Sequence, residues 1–268
     1  MKADKEAVQD FWEAAACGEN LYLSGWSQED YLEQARVRYQ LEPYILSFAE
    51  FHHYKNKKIL EIGVGLGADH QKFAEAGAIC YGIDLTERAI EHTSRRFHIL
   101  GLESKLQQGD AENLPFDDNS FDLVYSWGVL HHTPDTDKAI DEVFRVLKSR
   151  GKAKIMIYHK YSLVGYMLWI RYGLLRLKPI TPLGEIYSNY LESPGTKAYS
   201  VEETKQLFSK FQSIEIDTIL THGDLLTSAA GQRHRSLLLS VAKLIWPRWI
   251  IRRFFPRNGL FMLITATK

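Results

Sequence analysis

The sequence predicts an α/β fold built around one doubly wound, mostly parallel sheet of seven strands. From residue 57 onward, short apolar runs alternate with segments whose apolar residues recur at helical spacing. Such alternation is typical of parallel strands joined by crossover helices that cover both faces of the sheet. Three glycines, Gly63, Gly65 and Gly67, follow the first apolar run, and Asp84 closes the second. A glycine turn and an acid at strand ends are typical of the ligand-binding edge of such a sheet.

Seven segments, most of them apolar, are interpreted as the strands of this sheet. In chain order they read KILEIG, ICYGID, KLQQGD, FDLVYSWGV, KAKIMIYH, SIEIDTIL and GLFMLITATK. Between them, DHQKFAEAG is predicted as a helix that ends at Gly77, and TERAIEHTSRRFHILG as a helix capped by Thr86. The segment DTDKAIDEVFRVLKSRG is predicted to be helical throughout. The segment SVEETKQLFSKF is predicted to begin with a capping box of Ser200 and Glu203.

The chain is predicted to hold a helical N-terminal segment and one α/β domain. Residues 1–55 carry apolar residues at helical spacing, and Ser27 and Asp30 resemble the cap of one helix. No linker interrupts the rest, but the alternation of strands and helices breaks twice after residue 159. We therefore assign residues 56–268 to the domain, with a core at 57–160 and 200–268 and insertions at 161–199 and 221–256.

The composition is that of an ordinary globular protein. Among 268 residues, 45% are apolar and 25% are charged, and the formal net charge is zero, which disfavours nucleic acid as a partner. Cys17 and Cys80 give neither a disulfide framework nor metal-ligand spacing. The sequence shows no signal-peptide pattern and no long uncharged apolar run, so we expect a cytoplasmic protein.

The glycine turn reads E-I-G-V-G-L-G, with Glu61 two residues before the first glycine. This spacing differs from the G-x-G-x-x-G of dinucleotide-binding turns, and the acid would be unfavourable beside a pyrophosphate. The acid would instead attract an ammonium or sulfonium group, both of which S-adenosylmethionine carries. The sequence has no G-x-x-x-x-G-K-[ST], which excludes a P-loop.

Four segments resemble successive motifs of the class I S-adenosylmethionine-dependent methyltransferases. They are ILEIGVGLGADH, YGIDLT, GDAENLPFDDNSFDLVYSWGVLHH and AIDEVFRVLKSRGKAKIMIYH. The subgroup that they resemble most contains the ubiquinone and menaquinone C-methyltransferases and many small-molecule methyltransferases. The resemblance covers residues 57–160. It implies a Rossmann-like sheet with an antiparallel last strand, S-adenosylmethionine as the cofactor, and methyl transfer as the activity.

The resemblance also implies which residues contact the cofactor. They are Glu61, Gly63, Gly65, Gly67, Asp84, Leu85, Asp110, Ala111 and Trp127. Asp84 would hold the ribose hydroxyls, Asp110 would contact the adenine edge, and Trp127 would stand beside the reaction centre. Asp69 and His70 depart from the family pattern, which has small or apolar residues at these positions, and their role is left open.

Three histidines at the ends of predicted strands are candidate general bases, namely His131, His132 and His159. Histidine titrates near neutral pH, but a base is needed only if the acceptor is a hydroxyl or a weakly acidic carbon. For other acceptors, alignment of the reactants suffices. No metal site is predicted, because H-E-x-x-H is absent and two adjacent histidines cannot easily direct both rings at one ion.

The two insertions combine basic with aromatic residues. Residues 152–178 hold six Lys or Arg, residues 231–257 hold seven, and neither stretch holds an acid. This composition suits an anionic membrane surface, an acidic or aromatic small substrate under a lid, or RNA. We favour a small or lipophilic acceptor, with peripheral membrane contact left open. We expect residues 161–180 and 236–256 to fold against each other as a cap over the cleft.

Two other functions remain open at this point. The protein could methylate RNA or protein, although the absence of an N/D-P-P-Y/F motif after the fourth strand excludes the amino-methylases of DNA. It could also bind S-adenosylmethionine without turnover. The acceptor atom and the oligomeric state are not predicted.

Overall fold

A computed structural model describes residues 5–227 and 246–268 of the chain. Its strands are β1 (Lys58–Ile62), β2 (Ile79–Asp84), β3 (Lys105–Gln108), β4 (Phe121–Trp127), β5 (Leu147–Tyr158), β6 (Ser213–Ile219) and β7 (Phe261–Thr267). They form one seven-stranded sheet in the order β3-β2-β1-β4-β5-β7-β6.

The first five strands are parallel, and β7 runs antiparallel to both of its neighbours, β5 and β6. The predicted fold class is therefore confirmed. β1 pairs with both β2 and β4, so the strand order reverses at β1. In doubly wound sheets, ligands bind outside the carboxyl ends of the strands at this reversal.

Helices precede and surround the sheet. They are α1 (Lys5–Ala14), α2 (Glu19–Tyr22), α3 (Gln28–Leu41), α4 (Tyr44–Ala49), α5 (Ala68–Glu75), α6 (Glu87–Leu100), α7 (Thr136–Val146), α8 (Leu163–Tyr172), α9 (Leu183–Tyr190), α10 (Val201–Leu207) and α11 (Arg248–Phe254). Short 3₁₀ turns lie at Phe51–Tyr54, Leu130–His132 and Leu174–Arg176. None of the helices in the described ranges is both long enough and apolar enough to cross a bilayer.

The predicted helix caps are confirmed. Ser27 and Asp30 form a capping box at the start of α3, and Ser200 and Glu203 form another at the start of α10. The Thr86 side chain accepts a hydrogen bond from the backbone of Ala89 and begins α6. Each cap satisfies a backbone N–H that has no partner within the first helical turn.

The central strands bury both of their faces. On β1, Ile59 packs into a cluster with Phe73 of α5, whereas Leu60 packs into the opposite cluster with Val143 of α7. Successive side chains of a strand point to opposite faces, so a strand between two helical layers is apolar at consecutive positions. This is why the strand segments read as continuous apolar runs.

The end of α7 differs from the prediction. The helix was expected to continue through residue 151, but it ends at Val146, and β5 begins at Leu147. Leu147 pairs with Phe121 across a register shift in β4 and is fully buried. Burial of this leucine and the pairing of its backbone outweigh the helical charge pattern of the following residues.

The expected mutual burial of the two insertions is wrong for several described side chains. Helix α8 packs against α9, and residues 236–245 of the predicted cap lie outside the described residues. Leu177 is 90% exposed and Ile180 93% exposed, and Trp249 of α11 is 73% exposed. Contact between the two insertions does occur at the start of α8, where the Val164 N–H donates to Asp224 Oδ1 at 3.2 Å.

Candidate functional site

A cavity of about 720 Å³ lies at the carboxyl ends of the central strands. All nine residues that were predicted to contact a cofactor line it, namely Glu61, Gly63, Gly65, Gly67, Asp84, Leu85, Asp110, Ala111 and Trp127. Its volume falls in the range of about 300–1,000 Å³ typical of small-molecule sites. The structure thus brings the predicted residues together, and whether each one contacts a cofactor stays a prediction.

The glycine turn needs glycine for two different reasons. Gly63, Gly65 and Gly67 have φ values of 82°, 52° and 76°, which lie in the left-handed region. A Cβ on Gly63 would lie 2.1 Å from the Val129 side chain, and one on Gly67 would lie 2.9 Å from Thr93. A Cβ on Gly65 would meet nothing within 4 Å. Gly65 therefore borders open space, which suits close approach of a ligand.

Asp84 connects the glycine turn to the start of α6. Its Oδ2 accepts a hydrogen bond from the Gly65 N–H at 3.1 Å. Its Oδ1 accepts from the Thr86 N–H at 3.0 Å and from the Thr86 hydroxyl at 2.8 Å. Burial raises the pKa of Asp84, although these hydrogen bonds oppose the shift. The carboxyl group is therefore held in one orientation at the cavity wall.

Helix α1 covers one side of the cavity, which the sequence did not indicate. Lys5 Nζ donates to Asp110 Oδ2 at 2.6 Å and to Glu112 Oε2 at 2.9 Å. Farther along the same helix, Glu13 accepts hydrogen bonds from the backbone N–H groups of Glu87 and Arg88. These contacts dock α1 across the ends of β2 and β3, and its residues Lys5, Val8, Phe11 and Trp12 line the cavity.

Asp69, whose role was open, forms a buried ion pair with Arg38 of α3. Arg38 Nε lies 3.0 Å from Asp69 Oδ1, and Nη2 lies 2.6 Å from Oδ2. The hydroxyls of Tyr39 and Tyr125 also donate to this carboxylate. Burial opposes its ionisation, but the charge and hydrogen bonds of Arg38 outweigh burial, and the pKa of Asp69 is lowered. Asp69 therefore fixes α3 to the first helix after the glycine turn.

His70 contacts Glu61, and the surrounding hydrogen bonds define their protonation. The Ser104 hydroxyl donates to the Cys80 carbonyl at 3.1 Å, so its oxygen accepts from His70 Nε2 at 2.7 Å. Burial lowers the pKa of His70 to about 3, which leaves Nδ1 as an acceptor. Burial and the charge of Asp69 raise the pKa of Glu61 well above its ordinary value. The raised pKa favours the protonated form of Glu61, whose Oε2 lies 3.0 Å from His70 Nδ1.

Of the three candidate histidines, only His132 lines the cavity. Its Nδ1 lies 2.8 Å from Ser193 Oγ and 3.1 Å from Thr196 Oγ1, and its Nε2 lies 3.5 Å from Glu192 Oε2. These contacts hold the ring with Nε2 toward Glu192.

The structure contradicts the expected cleft-facing position of His159. Its Nδ1 lies 3.2 Å from the Gly259 carbonyl oxygen, and the side chain is absent from the cavity wall. His131 is fully buried against Tyr158, with ring centroids 4.0 Å apart. Burial lowers the pKa of both histidines, which are therefore neutral at pH 7.

The rings of the adjacent residues His131 and His132 lie closer together than we expected from the sequence. Their ring centroids are 4.2 Å apart. One atom each of His131, His132 and Glu192 lies within 4.8 Å of the others, so within the described residues these three could approach one cation. Glu192 also accepts a hydrogen bond from the Tyr158 hydroxyl at 2.7 Å. The expectation of no metal stays a prediction.

Two carboxyl groups of the cavity wall were missed by the sequence analysis. Glu42 follows α3 and is 9% exposed, and its Oε2 lies 3.4 Å from Arg38 Nη1. Burial raises the pKa of Glu42 to about 7. Glu192 follows α9. A signal for Glu192 was present, because Glu185 and Glu192 are the only acids of residues 161–199. Nothing in the sequence pattern distinguishes Glu42 from other acids of the helical segment.

Comparison with known proteins identifies the domain. Residues 60–155 match the model of a family described as a methyltransferase domain. The uncharacterized methyltransferase YcgJ of Bacillus subtilis is 40% identical over 96 residues, which are 35% of this chain and 38% of that protein. The sterol 24-C-methyltransferase erg6 of Aspergillus fumigatus is 32% identical over 145 residues, which are 49% of this chain and 37% of that protein. The phosphoethanolamine N-methyltransferase 2 of Caenorhabditis elegans is 36% identical over 105 residues, which are 38% of this chain and 24% of that protein.

The chain thus spans 38% or less of the length of each of these relatives. The crystal structure of Bacillus YcgJ superposes with a TM-score of 0.54 at 22% identity, covering 83% of this chain and 97% of that one. This structural likeness concerns the fold alone. Residues 60–155 therefore match a methyltransferase domain, and the fold around them is that of the Bacillus YcgJ structure.

Proposed function

We propose that this protein transfers the methyl group of S-adenosylmethionine to a small or lipophilic acceptor. The observation that carries the proposal is that one and the same cavity joins the glycine turn, Asp84 and Asp110 to aromatic side chains. A charged cofactor suits the first part, and an apolar acceptor suits the second. The sterol and phosphoethanolamine methyltransferases among the relatives support an acceptor of this kind.

In this proposal the glycine turn and the acids around it hold the cofactor. Gly65 permits close approach of the ligand, Asp84 binds the ribose hydroxyls, and Asp110 contacts the adenine edge. Glu61 faces the ammonium or sulfonium charge, which would favour its ionised form. Trp127, at the end of β4, stands between the cofactor part and the acceptor part of the cavity.

The chemistry is an in-line displacement at a methyl group whose leaving group is already activated. The protein contributes mainly proximity and alignment, which lower the barrier by up to about 7–11 kcal/mol. Helix α1 and the start of α8 both line the cavity and would exclude water from the reacting groups. For an acceptor that must lose a proton, His132 is the candidate base among the histidines, because it borders the cavity.

We also propose peripheral contact with anionic membranes in the cytoplasm. Exposed apolar side chains lie among basic ones in both insertions: Leu175, Leu177, Ile180, Trp249 and Phe254 lie near Arg176, Lys178, Arg252 and Arg253. Each Lys or Arg near an anionic surface contributes about 1 kcal/mol. Sedimentation with anionic and neutral liposomes, at low and high salt, tests this. Recovery in the supernatant under every condition would reject membrane contact.

The domain division remains part of the proposal. Residues 1–55 would serve as a helical cover of the site, residues 57–160 and 200–268 as the catalytic core, and residues 161–199 and 221–256 as the parts that select the acceptor. Partial proteolysis with and without S-adenosylhomocysteine would test it. We expect cuts within both insertions before any cut within residues 57–160.

The activity is tested by incubation with methyl-labelled cofactor and fractionated cell extract, followed by mass spectrometry of labelled products. A labelled small or lipid-like molecule is expected, and it should be absent with Asp84→Ala. Label in RNA or protein would show that the methyl acceptor is a macromolecule and not a small molecule. Micromolar cofactor binding, about 8 kcal/mol, without transfer to any fraction would identify a binding protein instead.

A further inference from the structure

A band of aromatic rings and carboxyl groups crosses the cavity wall. Its first part joins helix α1 to the segment after α9. Trp12 packs edge-on against His132, with ring centroids 5.4 Å apart. His132 Nε2 lies 3.5 Å from Glu192 Oε2, which accepts a hydrogen bond from the Tyr158 hydroxyl at 2.7 Å. His132 and Tyr158 therefore meet at Glu192, and Trp12 joins this group through His132.

The second part of the band runs from Tyr158 to Glu42. The rings of Tyr158 and Phe261 are stacked with centroids 5.9 Å apart, and Phe261 lies 5.8 Å from Trp127. Arg38 lies over Trp127 at 6.0 Å, and its Nη1 lies 3.4 Å from Glu42 Oε2. Glu42 and Glu192 thus occupy the two ends of one aromatic surface.

The charges of the wall favour a cationic occupant. The cations that line the cavity are Lys5, Arg38 and Arg171, and the carboxyl groups are Glu42, Glu61, Asp69, Asp84, Asp110 and Glu192. Lys5 is paired with Asp110, and Arg38 lies closer to Asp69 than to Glu42. Aromatic faces attract cations, more strongly where water is excluded. A buried wall of rings between two carboxyl groups is therefore complementary to an ammonium ion.

One polar atom of this wall has no hydrogen-bond partner. His132 is 4% exposed, and its Nε2 is buried without a hydrogen bond. Buried polar atoms without partners are uncommon in native proteins and indicate a missing partner. An ammonium group beside Glu192 would supply N–H donors to this nitrogen.

We propose that the methyl acceptor is an amine, held as an ammonium ion between Glu42 and Glu192, and that Glu42 removes its proton before transfer. This inference rests on the proposed function and narrows its acceptor class. The N–H bond of the ammonium breaks, and its proton passes to the Glu42 carboxylate. The freed nitrogen lone pair then forms a bond to the methyl carbon. The carbon–sulfur bond breaks, its electron pair stays on sulfur, and the products are S-adenosylhomocysteine and a methylammonium ion.

The environment of Glu42 suits proton transfer near neutral pH. Burial raises its pKa to about 7, with Asp69 and Glu192 adding to the rise and Arg38 opposing it. The other titratable groups coupled to it are Cys17, Tyr22, Tyr44 and Tyr158. A base must be ionised to accept a proton, so kcat/KM for an amine should rise with pH through about 7.

The test compares acceptors that differ only in the reacting group. Octylamine and phenethylamine are offered beside 1-octanol, 2-phenylethanol and octanoic acid. Binding is followed by calorimetry in the presence of S-adenosylhomocysteine, and transfer is followed by mass spectrometry with S-adenosylmethionine. We expect binding and methylation of the amines alone. Binding of the alcohols or the acid in preference to the amines would overturn the proposal.

Two variants test the carboxyl groups separately. Glu192→Gln should weaken amine binding about ten- to a hundred-fold, because it removes a charge-assisted contact. Glu42→Gln should remove the rise of kcat/KM with pH. The control is Glu185→Gln, an exposed acid of the same insertion that is absent from the cavity wall. Unchanged amine binding in Glu192→Gln, or an unchanged pH profile in Glu42→Gln, would contradict the assignment.

Cofactor affinity separates failure of this inference from failure of the proposed function. If S-adenosylhomocysteine binds normally but no amine does, the amine assignment fails and the methyltransferase proposal stands. If the cofactor does not bind to the unaltered protein, the proposed function fails first. Amine binding that disappears on dialysis against EDTA would overturn the carboxylate site in favour of a metal held by His131, His132 and Glu192.

Discussion

The contact between Glu61 and His70 shows how neighbours determine the state of an acid. From the sequence alone, a glutamate before a glycine turn is expected to be an anion that binds a cation. Here burial raises the pKa of Glu61, and the hydrogen bonds from Cys80 through Ser104 to His70 are consistent with a proton on Glu61. A cation beside Glu61 would favour the anion instead.

This arrangement predicts proton release on cofactor binding. An ammonium or sulfonium group beside Glu61 favours the carboxylate, whose pKa is raised in the free protein. We expect up to one proton to leave at pH 7. Calorimetry of S-adenosylmethionine binding in two buffers of different ionisation enthalpy measures the number. Glu61→Gln should abolish the release, and equal release in that variant would place the proton elsewhere.

Asp84 should determine cofactor affinity. Asp84→Ala removes a carboxylate that orients the glycine turn through Gly65 and that we expect to bind the ribose. A hydrogen bond to a charged group contributes about 1.5–3 kcal/mol, so affinity should fall at least tenfold. Calorimetry against S-adenosylhomocysteine is the measurement, with exposed Asp117→Ala as the control. Equal affinities in the two variants would refute the role.

His132 should affect turnover more than cofactor binding. It borders the cavity, and Ser193 and Thr196 fix its ring. We expect His132→Ala to lower kcat about ten- to a hundred-fold and to leave cofactor affinity within a factor of about three. The control is His98→Ala, an exposed histidine of α6. Full turnover in His132→Ala would mean that His132 is not the base, and would leave proton removal by Glu42 or alignment alone.

Helix α1 shows that a segment far from the glycine turn in sequence completes the site. Its amphipathic pattern predicts a helix, but no local pattern says where the helix docks. Docking depends on Lys5 and Glu13, which reach partners more than seventy residues away in the sequence. Tertiary charge complementarity, which periodicity cannot reveal, decides this placement.

The packing of α1 over the cavity should slow the release of the cofactor. Lys5→Met breaks the pair with Asp110 and Glu112, a partly exposed contact that contributes about 1 kcal/mol or less. We expect a cofactor affinity two- to five-fold lower, mainly through faster release. Stopped-flow release of S-adenosylhomocysteine measures this. Asp10→Asn, exposed on the same helix, is the control, and equal release rates would exclude a covering role for α1.

Across the whole chain, buried neutral histidines should make stability depend on pH. The pKa of His131 in the folded protein lies well below 6.5 because it is buried. Below pH 6.5 the unfolded chain gains a proton that the folded protein does not, so this contribution to stability is lost as pH falls. The loss is about 1.4 kcal/mol for each pH unit below 6.5.

Urea unfolding at pH 7.5 and 5.5, for the unaltered protein and for His131→Leu, measures this contribution. We expect the variant to lose about 1.4 kcal/mol less stability between the two pH values. The His98→Ala variant, which changes an exposed histidine, should lose as much stability between the two pH values as the unaltered protein. An equal loss in His131→Leu would show that His131 takes up its proton in the folded protein.

Much of the fold could be predicted because its signals are local. The strand runs, the caps of α3, α6 and α10, and the glycine turn each depend on residues within a few positions of one another. The nine predicted cofactor residues also share one wall, because parallel strands bring their carboxyl ends to one edge. The predicted end of α7 was wrong, because the pairing of Leu147 with Phe121, which ends the helix, is a long-range contact.

The acceptor side of the cavity could not be predicted in the same way. Glu42, Trp12 and Glu192 come from three separate segments, and only the tertiary structure places them on one surface. Their residue types are common at helix ends and in loops, so the sequence does not single them out. The place of His159 at the end of the fifth predicted strand made it a candidate base, whereas its contact with the Gly259 carbonyl holds it outside the cavity.

The position of β7 between β5 and β6 has a consequence for synthesis on the ribosome. Among the strands that the structure describes, β7 comes after β5 and β6 in the chain, yet both of these strands pair with it. While β7 remains in the exit tunnel, β6 has no place in the sheet, and one edge of β5 stays open. Leu260 and Phe261 also line the cavity, so the wall that we propose for the acceptor forms only after β7 has emerged. A nascent chain could therefore bind cofactor before it can bind an acceptor, and the open edge of β5 would be the natural contact for a chaperone during translation.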